Sequence, residues 1–177
     1  MRPPAPADIQ ALIAYYAENK EHLAPWEPRW PDGFFTETFW RTQLARQAEQ
    51  LKAGTALRLA IFKRDRPNRV IGTVNFTSIQ RGALEGCQLG YSLASDAQGH
   101  GYMQEALAAA IAYVFKELHL HRVMAGYMPR NVRSGRLLAR LGFVIEGYAR
   151  AYLHVNGRWE DHVLTSLINQ DWTPPGL

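Results

Sequence analysis

A chain of 177 residues, 47% hydrophobic and 20% charged, has the length and balance of one soluble globular domain, expected over residues 1–177. Its net charge of +4 suits a polyanionic cofactor or a ribonucleoprotein surface, and many plain enzymes are equally basic. The single cysteine, Cys87, excludes an intramolecular disulfide and a cysteine metal cluster, and fits a reducing, cytoplasmic compartment. No apolar run approaches the ~20 residues of a membrane helix, and nothing reads as a signal peptide.

In chain order, Pro3, Pro4 and Pro6 come first, and Asp8 then stands as the expected N-cap of a helix. Ile9, Leu12, Ile13 and Tyr16 give that helix its apolar stripe. Two prolines exclude regular helix from His22-Leu23-Ala24-Pro25-Trp26-Glu27-Pro28. A second helix is predicted from Thr36 to Lys52, its faces marked by Phe39, Gln43, Leu44, Gln47 and Leu51, and Gly54 ends it. Leu57 to Phe62 reads as a strand, a charged turn holding Pro67 and Asn68 follows, and Val70 to Phe76 returns as a hairpin arm. Gly82 and Gly86 bracket a turn before a strand from Cys87 to Leu93.

From Tyr102 to Leu118 the period becomes helical, with Met103, Leu107, Ala110, Ile111, Val114 and Leu118 on one face. Arg122 to Met128 reads as a strand, and Val132 to Leu141 as a short helix closed by Gly142. Two last strands, Val144 to Leu153 and Trp159 to Ile168, flank the turn Asn156-Gly157. The sequence therefore predicts a mixed α/β fold, with no repeat and no linker.

The junction Ala97-Gln98-Gly99-His100-Gly101-Tyr102-Met103 lies between a strand and a helix. Its glycines permit a tight turn and a close backbone approach, and the following helix presents unpaired amides and a positive dipole end. That combination can cradle a pyrophosphate, although a glycine-bearing strand–helix loop is also common without a ligand. The spacing is neither the dinucleotide fingerprint GxGxxG nor a Walker loop.

Gln98-x-x-Gly101-x-Met103 resembles the Q/R-x-x-G-x-G/A signature of the GNAT N-acetyltransferases, with Met103 in place of the last small residue. Asn131-x-x-Ser134, ending in Leu141-Gly142-Phe143, is similar to the family's N-x-x-[AS]…L-G-F segment, and Gly90-Tyr91-Ser92-Leu93 to its cofactor-facing strand. Tyr15 to Asn19, Leu23 to Pro28 and Leu137 to Phe143 resemble the RimJ/RimL branch of ribosomal-protein alanine acetyltransferases. Tyr127-Met128-Pro129 and Trp159-x-Asp161-His162-Val163-Leu164-Thr165 look closer to the RimJ type. Relatives carry a first strand ending in a segment like Arg2-Pro3, so a truncated N-terminus is expected here.

The resemblance implies a GNAT fold, mostly antiparallel with flanking helices, and direct transfer from acetyl-CoA to an amine without a metal. It implies that Gln98, Gly99, His100, Gly101, Tyr102 and Met103 hold the pyrophosphate and that Asn131 binds the pantetheine. The strand around Leu93 should splay from its parallel neighbour near Val123, offering unpaired backbone to the pantetheine and a Leu93 amide to the oxyanion. Ser134 is implied as the proton donor to the leaving thiolate, its alternative being a plain helix-capping serine. Asn131 has the same capping alternative.

Branch relatives carry a glutamate where this chain has Gln88, and an amide cannot take a proton at neutral pH. Glu85, Glu105, Asp161, a water relay or no base at all remain open. An α-amine, with a pKa of about 7.7–8.0, needs less help than a lysine near 10.4, so Gln88 favours α-amine acceptors. Trp26, Gln88 and Tyr152, with Trp159, are candidates to wall an acceptor site, although core packing is the commoner fate of aromatic residues.

His119 and His121 read as residues ending a helix, without metal-ligand spacing. Arg130, Arg133, Arg136 and Arg140 read as a solvated basic face, or as contacts for the coenzyme 3′-phosphate or ribosomal RNA. The implied partner is a ribosomal protein N-terminus or the ribosome, with the N-terminal alanine of the fifth small-subunit protein as the acceptor; neither DNA nor a membrane is a partner. Alternatives are another N-terminus, a small amine, or a non-catalytic ribosome-associated module.

Overall fold

Apolar and β-branched segments, joined by hairpin turns and helical crossovers, produce a six-stranded sheet in the order β1-β2-β3-β4-β6-β5. The strands are β1 (Leu57–Lys63), β2 (Arg66–Gln80), β3 (Gly86–Leu93), β4 (Arg122–Tyr127), β5 (Val144–Val155) and β6 (Arg158–Ile168). The helices are α1 (Ile9–Glu18), α2 (Lys20–Leu23), α3 (Glu37–Lys52), α4 (Tyr102–Lys116) and α5 (Val132–Arg140). This computed structural model describes residues 1–174.

Every neighbouring pair is antiparallel except β3 with β4, which is parallel because the crossover through α4 joins them. The mixed α/β, mostly antiparallel fold read from the sequence is the fold observed. Val74, Phe76, Cys87, Leu107, Val114 and Val123 form the driest part of the core. Burying an aliphatic or aromatic side chain contributes about 1.5–3 kcal/mol before entropy is counted.

Successive strand residues point to opposite faces, and β3 uses both. Ser92 receives the Tyr15 hydroxyl of α1 at 2.9 Å, whereas the hydroxyl of its neighbour Tyr91 lies 2.8 Å from Ser134 of α5. Helices α1 and α5 therefore cover opposite faces. α3 joins α1 through the stacked rings of Trp40 and Tyr16. At Gly72 of β2, a Cβ would meet the Ser92 carbonyl oxygen at 2.6 Å, so β2 approaches β3 closely there only because the residue is glycine.

Several expectations change in detail. Asp8 stands at the cap position of α1, but its carboxylate does not cap the helix. It accepts from Arg2 at 2.5 and 2.8 Å and from the Ala5 amide at 2.7 Å, and Arg2 itself bridges to Ala60 of β1. Helix α2 takes in His22 and Leu23, stopping before Pro25 instead of before His22. In α3 the core residues are Trp40 and Leu44, while Leu51 is exposed. The hairpin turn is confined to Arg64-Asp65, and Pro67 and Asn68 sit inside β2 where the register shifts. A bulge leaves a proline without a ladder bond to donate. His119 and His121 lie beyond α4 rather than at its end, against Trp172.

Candidate active site

The loop after β3 ends in Gly99 and Gly101, both with φ of +80°, a backbone region that other residues adopt only with strain. Gly101 caps α4, and a Cβ at either glycine would meet nothing within 4 Å, so the space over the loop is open. Glu105 is the first residue of α4 whose N–H returns to the cap, bonding Gly101 O at 3.0 Å. The amides of Tyr102, Met103 and Gln104 precede that ladder and keep the positive end of the dipole.

The other loop residues divide by role. Met103 is buried in the core, so it offers a ligand its backbone only. His100 stacks on Tyr102, and the Lys63 ammonium lies 4.9 Å from the Tyr102 ring centre. Gln98 donates from Nε2 to His22 at 2.9 Å and accepts from Arg133, which ties the loop to α2 and α5. Arg140 similarly reaches Gln104 at 3.1 Å. With Arg130, which bonds Pro25 and Glu160, three of the four arginines read as a solvated face are thus ties between elements.

Beside this loop, β3 and β4 pair only at Gly86↔Arg122, Cys87↔Val123 and Gln88↔Met124. Beyond those pairs β3 continues to Leu93 and β4 to Tyr127, each still paired to its outer neighbour. The splay expected near Val123 begins after Met124, and it leaves two inner strand edges facing a gap. An extended chain with amide groups can bond to such edges as an added strand would.

On the α5 side of the gap stands Ser134. Asn131 caps α5 by accepting from the Ser134 amide at 3.1 Å, so the serine hydroxyl is not the cap. Its oxygen lies 2.8 Å from the Tyr91 hydroxyl. Burial pushes the Tyr91 phenol up to about 12, opposed by the bond to Ser134, so the pair stays protonated at neutral pH.

On the α1 side of the gap lie Gln88, Gly90 and Ser92. The Gln88 amide nitrogen is 3.9 Å from Met124 Sδ. Glu27, on the loop before α3, accepts from Trp30 Nε1 at 2.8 Å. Burial raises the Glu27 carboxyl above its ordinary range, against the hydrogen bonds of Trp30 and Ser92. Trp26 lies under the Arg130 guanidinium at 4.9 Å, and that guanidinium donates to Pro25 O at 3.2 Å and Glu160 at 2.7 Å. Asn156 N bonds Glu27 O at 3.2 Å. Loop 24–30 and the β5–β6 hairpin are thereby tied together, with Tyr152 packed on His162 at 5.6 Å. Trp26, Gln88 and Tyr152 all border this region, whereas Trp159 is exposed and packs on His154.

The open candidates for a base are placed elsewhere. Glu85 is bonded to Arg81 and the Gly82 amide at the start of β3. Asp161 accepts from Tyr148 at 2.6 Å and from the Ala151 amide at 2.7 Å, holding a bulge in β5. Glu105 is an exposed residue of α4. Burial pushes the Cys87 thiol up to about 12, which leaves it a poor nucleophile. Among the described residues no cluster of three acidic, histidine or cysteine side chains could hold a metal ion.

A description of the acetyltransferase (GNAT) domain matches residues 1–144. The chain belongs to the GNAT acetyltransferase family. It is 47% identical over 167 residues to the ribosomal protein uS5-alanine N-acetyltransferase of Escherichia coli (strain K12), a match covering 94% of this chain and 86% of that protein. A solved ribosomal-protein-S5-alanine acetyltransferase from Vibrio fischeri is similar with a TM-score of 0.94 and 42% identity, covering 98% of this chain and 94% of that one. RimJ of Mycobacterium smegmatis, solved in complex with CoA-disulfide, has a TM-score of 0.89 and 29% identity over 96% of this chain and 81% of that one.

As a GNAT member the chain is an N-acetyltransferase. The open space over Gly99 and Gly101 and the free edges of β3 and β4 fit a ligand with phosphates at one end and an extended amide arm. Tyr91 and Glu27 are residues of this region that the sequence does not single out, and Arg130 reads there as part of a basic face or a phosphate contact, not as the tie it forms. Tyr91 had a signal, since it lies in the family strand segment between Gly90 and Ser92. Glu27 has no such signal, because its bond to nearby Trp30 does not show that Asn156 of the β5–β6 hairpin meets the same residue, and the Pro25 and Glu160 partners of Arg130 are far away in the chain.

Proposed function

We propose that this enzyme acetylates the α-amine of an N-terminal alanine on the ribosomal protein uS5, taking the acetyl group from acetyl-CoA. The observation that carries the reading is the gap between β3 and β4, opening beside the Gly101-capped helix. The Escherichia coli relative's activity on the uS5 alanine supports the choice of acceptor.

Gln98 to Met103 would hold the pyrophosphate, with Leu93 and Asn131 on the pantetheine arm. Bound acetyl-CoA supplies an activated thioester. Ser134, backed by Tyr91, would deliver a proton to the departing sulfur, a role that the contact between the two hydroxyls supports. Trp26, Gln88 and Tyr152 border the side by which an extended peptide N-terminus would enter. Residues 1–177 then work as one domain, with the cytoplasm and the ribosome as the setting; no helix among the described residues is long and apolar enough to cross a membrane.

Mass spectrometry of peptides incubated with the purified protein and acetyl-CoA tests the acceptor. An alanine-initiated peptide copying the uS5 N-terminus should be acetylated, faster as pH rises through the amine's range of about 7.7–8.0. A peptide blocked at the α-amine but carrying free lysines should react poorly. A better rate with the blocked peptide or with spermidine would refute the N-terminal assignment.

A further inference from the structure

Gln88 cannot take a proton, and His162 is the side chain on the acceptor side of the gap whose ring is oriented to do so. Gln88 pairs with Met124 on the face that bears Gly126, two residues further along β4. A Cβ added at Gly126 would first meet His162 of β6, at 3.6 Å from Cδ2, the ring carbon bonded to Nε2. The imidazole therefore lies on this face, at the edge of β4 where β3 has already turned away.

His162 is only 4% exposed, and one hydrogen bond sets the orientation of its ring. Nδ1 lies 3.1 Å from the Glu160 carbonyl oxygen. A carbonyl can only accept, so Nδ1 carries the hydrogen and Nε2 of the neutral ring carries the lone pair. Nε2 has no hydrogen-bond partner among the described residues. Trp40 Nε1 is there the sole fully buried side-chain polar atom without a partner, so Nε2 keeps contact with solvent. A lone pair fixed in direction, without a partner among the described residues and not wholly shut off from solvent, is the arrangement a general base needs.

Glu27 is the competing group, but its carboxylate already receives Trp30 and Ser92 and lies toward the far end of β3. Asp161, on the next residue, is turned to Tyr148 and Ala151. We propose that His162 is the base that takes the proton from the acceptor's α-ammonium group. One N–H bond of the ammonium breaks, an Nε2–H bond forms, and the amine keeps the electron pair it needs for attack. The imidazolium then returns its proton to water. The proposal deepens the acetyl-transfer reading above and rests on it.

Two measurements test it. Nitrogen-15 NMR of the wild-type protein should find the neutral His162 ring protonated at Nδ1; a ring protonated at Nε2 overturns the proposal. In kinetics, His162→Gln should lower kcat/KM for the alanine-initiated peptide about 10²-fold at pH 7, with acetyl-CoA affinity by calorimetry unchanged. The deficit should shrink as pH rises through about 7.7–8.0, where the amine deprotonates unaided. The charged and titratable groups around the ring are Glu160 and Asp161 on β6, Arg150 and Tyr152 on β5, and Arg130 and Arg158, which bond Glu160, and all of them are retained in the variant. An active wild type matched by His162→Gln at every pH overturns this proposal alone. A wild type that acetylates no amine overturns the underlying reading and this proposal with it.

Discussion

The Tyr91 hydroxyl and the Ser134 hydroxyl lie 2.8 Å apart, one on β3 and the other on α5, across the mouth of the gap between β3 and β4. A serine alone has one proton to give. A buried phenol pushed up to about 12 remains protonated and can restore it. Ser134→Ala should lower kcat about 10²-fold and Tyr91→Phe about 10-fold, with acetyl-CoA affinity nearly intact in both. Because the two act as one chain, the double variant should be no slower than Ser134→Ala. Multiplied effects in steady-state kinetics would separate the two residues, and an intact kcat with weakened affinity would make Ser134 a binding residue.

Gly101 tests the phosphate cradle. Its φ of +80° means that valine strains the loop as well as filling the space above it, so a control with similar strain is needed. Gly54, at the end of α3, has φ of +67° and equally open surroundings. Calorimetry should show Gly101→Val weakening acetyl-CoA at least ~10-fold, about 1.4 kcal/mol, while Gly54→Val binds as the wild type does. Equal affinities in two folded variants would remove the loop from the binding site.

Much of this was legible because it is local. The stripe of α4, the Asn156-Gly157 turn and the paired glycines of the loop each announce themselves within a few residues. The splay was legible only through the family resemblance, and its starting point after Met124 was not. What stayed hidden depends on pairing across the fold. Tyr91 meets Ser134 and Arg130 meets Pro25 only once the sheet is built. Asp8 looked like a helix cap because that is the local use of an aspartate before an apolar stripe, yet Arg2 and the Ala5 amide hold its carboxylate instead.

That Asp8 cluster has a pH signature. The Arg2 hydrogen bond and the Ala5 amide hold the Asp8 carboxyl below its ordinary value, outweighing burial, which raises it. A depressed folded pKa stabilises the fold above the unfolded value, about 3.9, and the contribution is lost as pH falls through the folded value. Urea unfolding should therefore show Asp8→Asn less stable than wild type at pH 7 by about 1.5–3 kcal/mol. The difference should narrow as pH falls below the unfolded value and close only once the folded value has been passed. A gap that stays constant down to acid would mean that the charge contributes nothing.

Arg130 joins three things that the chain keeps far apart: the Pro25 carbonyl, the Trp26 ring and the Glu160 carboxylate. Loop 24–30 has no sheet of its own, so this guanidinium and the Asn156–Glu27 backbone bond hold it against the β5–β6 hairpin. An exposed ion pair contributes little to global stability, so removing Arg130 should leave the melting temperature nearly unchanged. The groove is a different matter, because a loop that must be ordered by the incoming peptide weakens binding by that ordering cost. Arg130→Ala should raise KM for the alanine-initiated peptide about 10-fold, with kcat and acetyl-CoA affinity much less affected. Arg130→Lys should fall between, since an ammonium keeps the charge and has donors for both oxygens but loses the flat guanidinium that lies on the Trp26 indole. An unchanged KM in Arg130→Ala would mean that loop 24–30 holds its place without the clasp. A fall in kcat alone would put Arg130 next to the reacting atoms instead of at the groove wall.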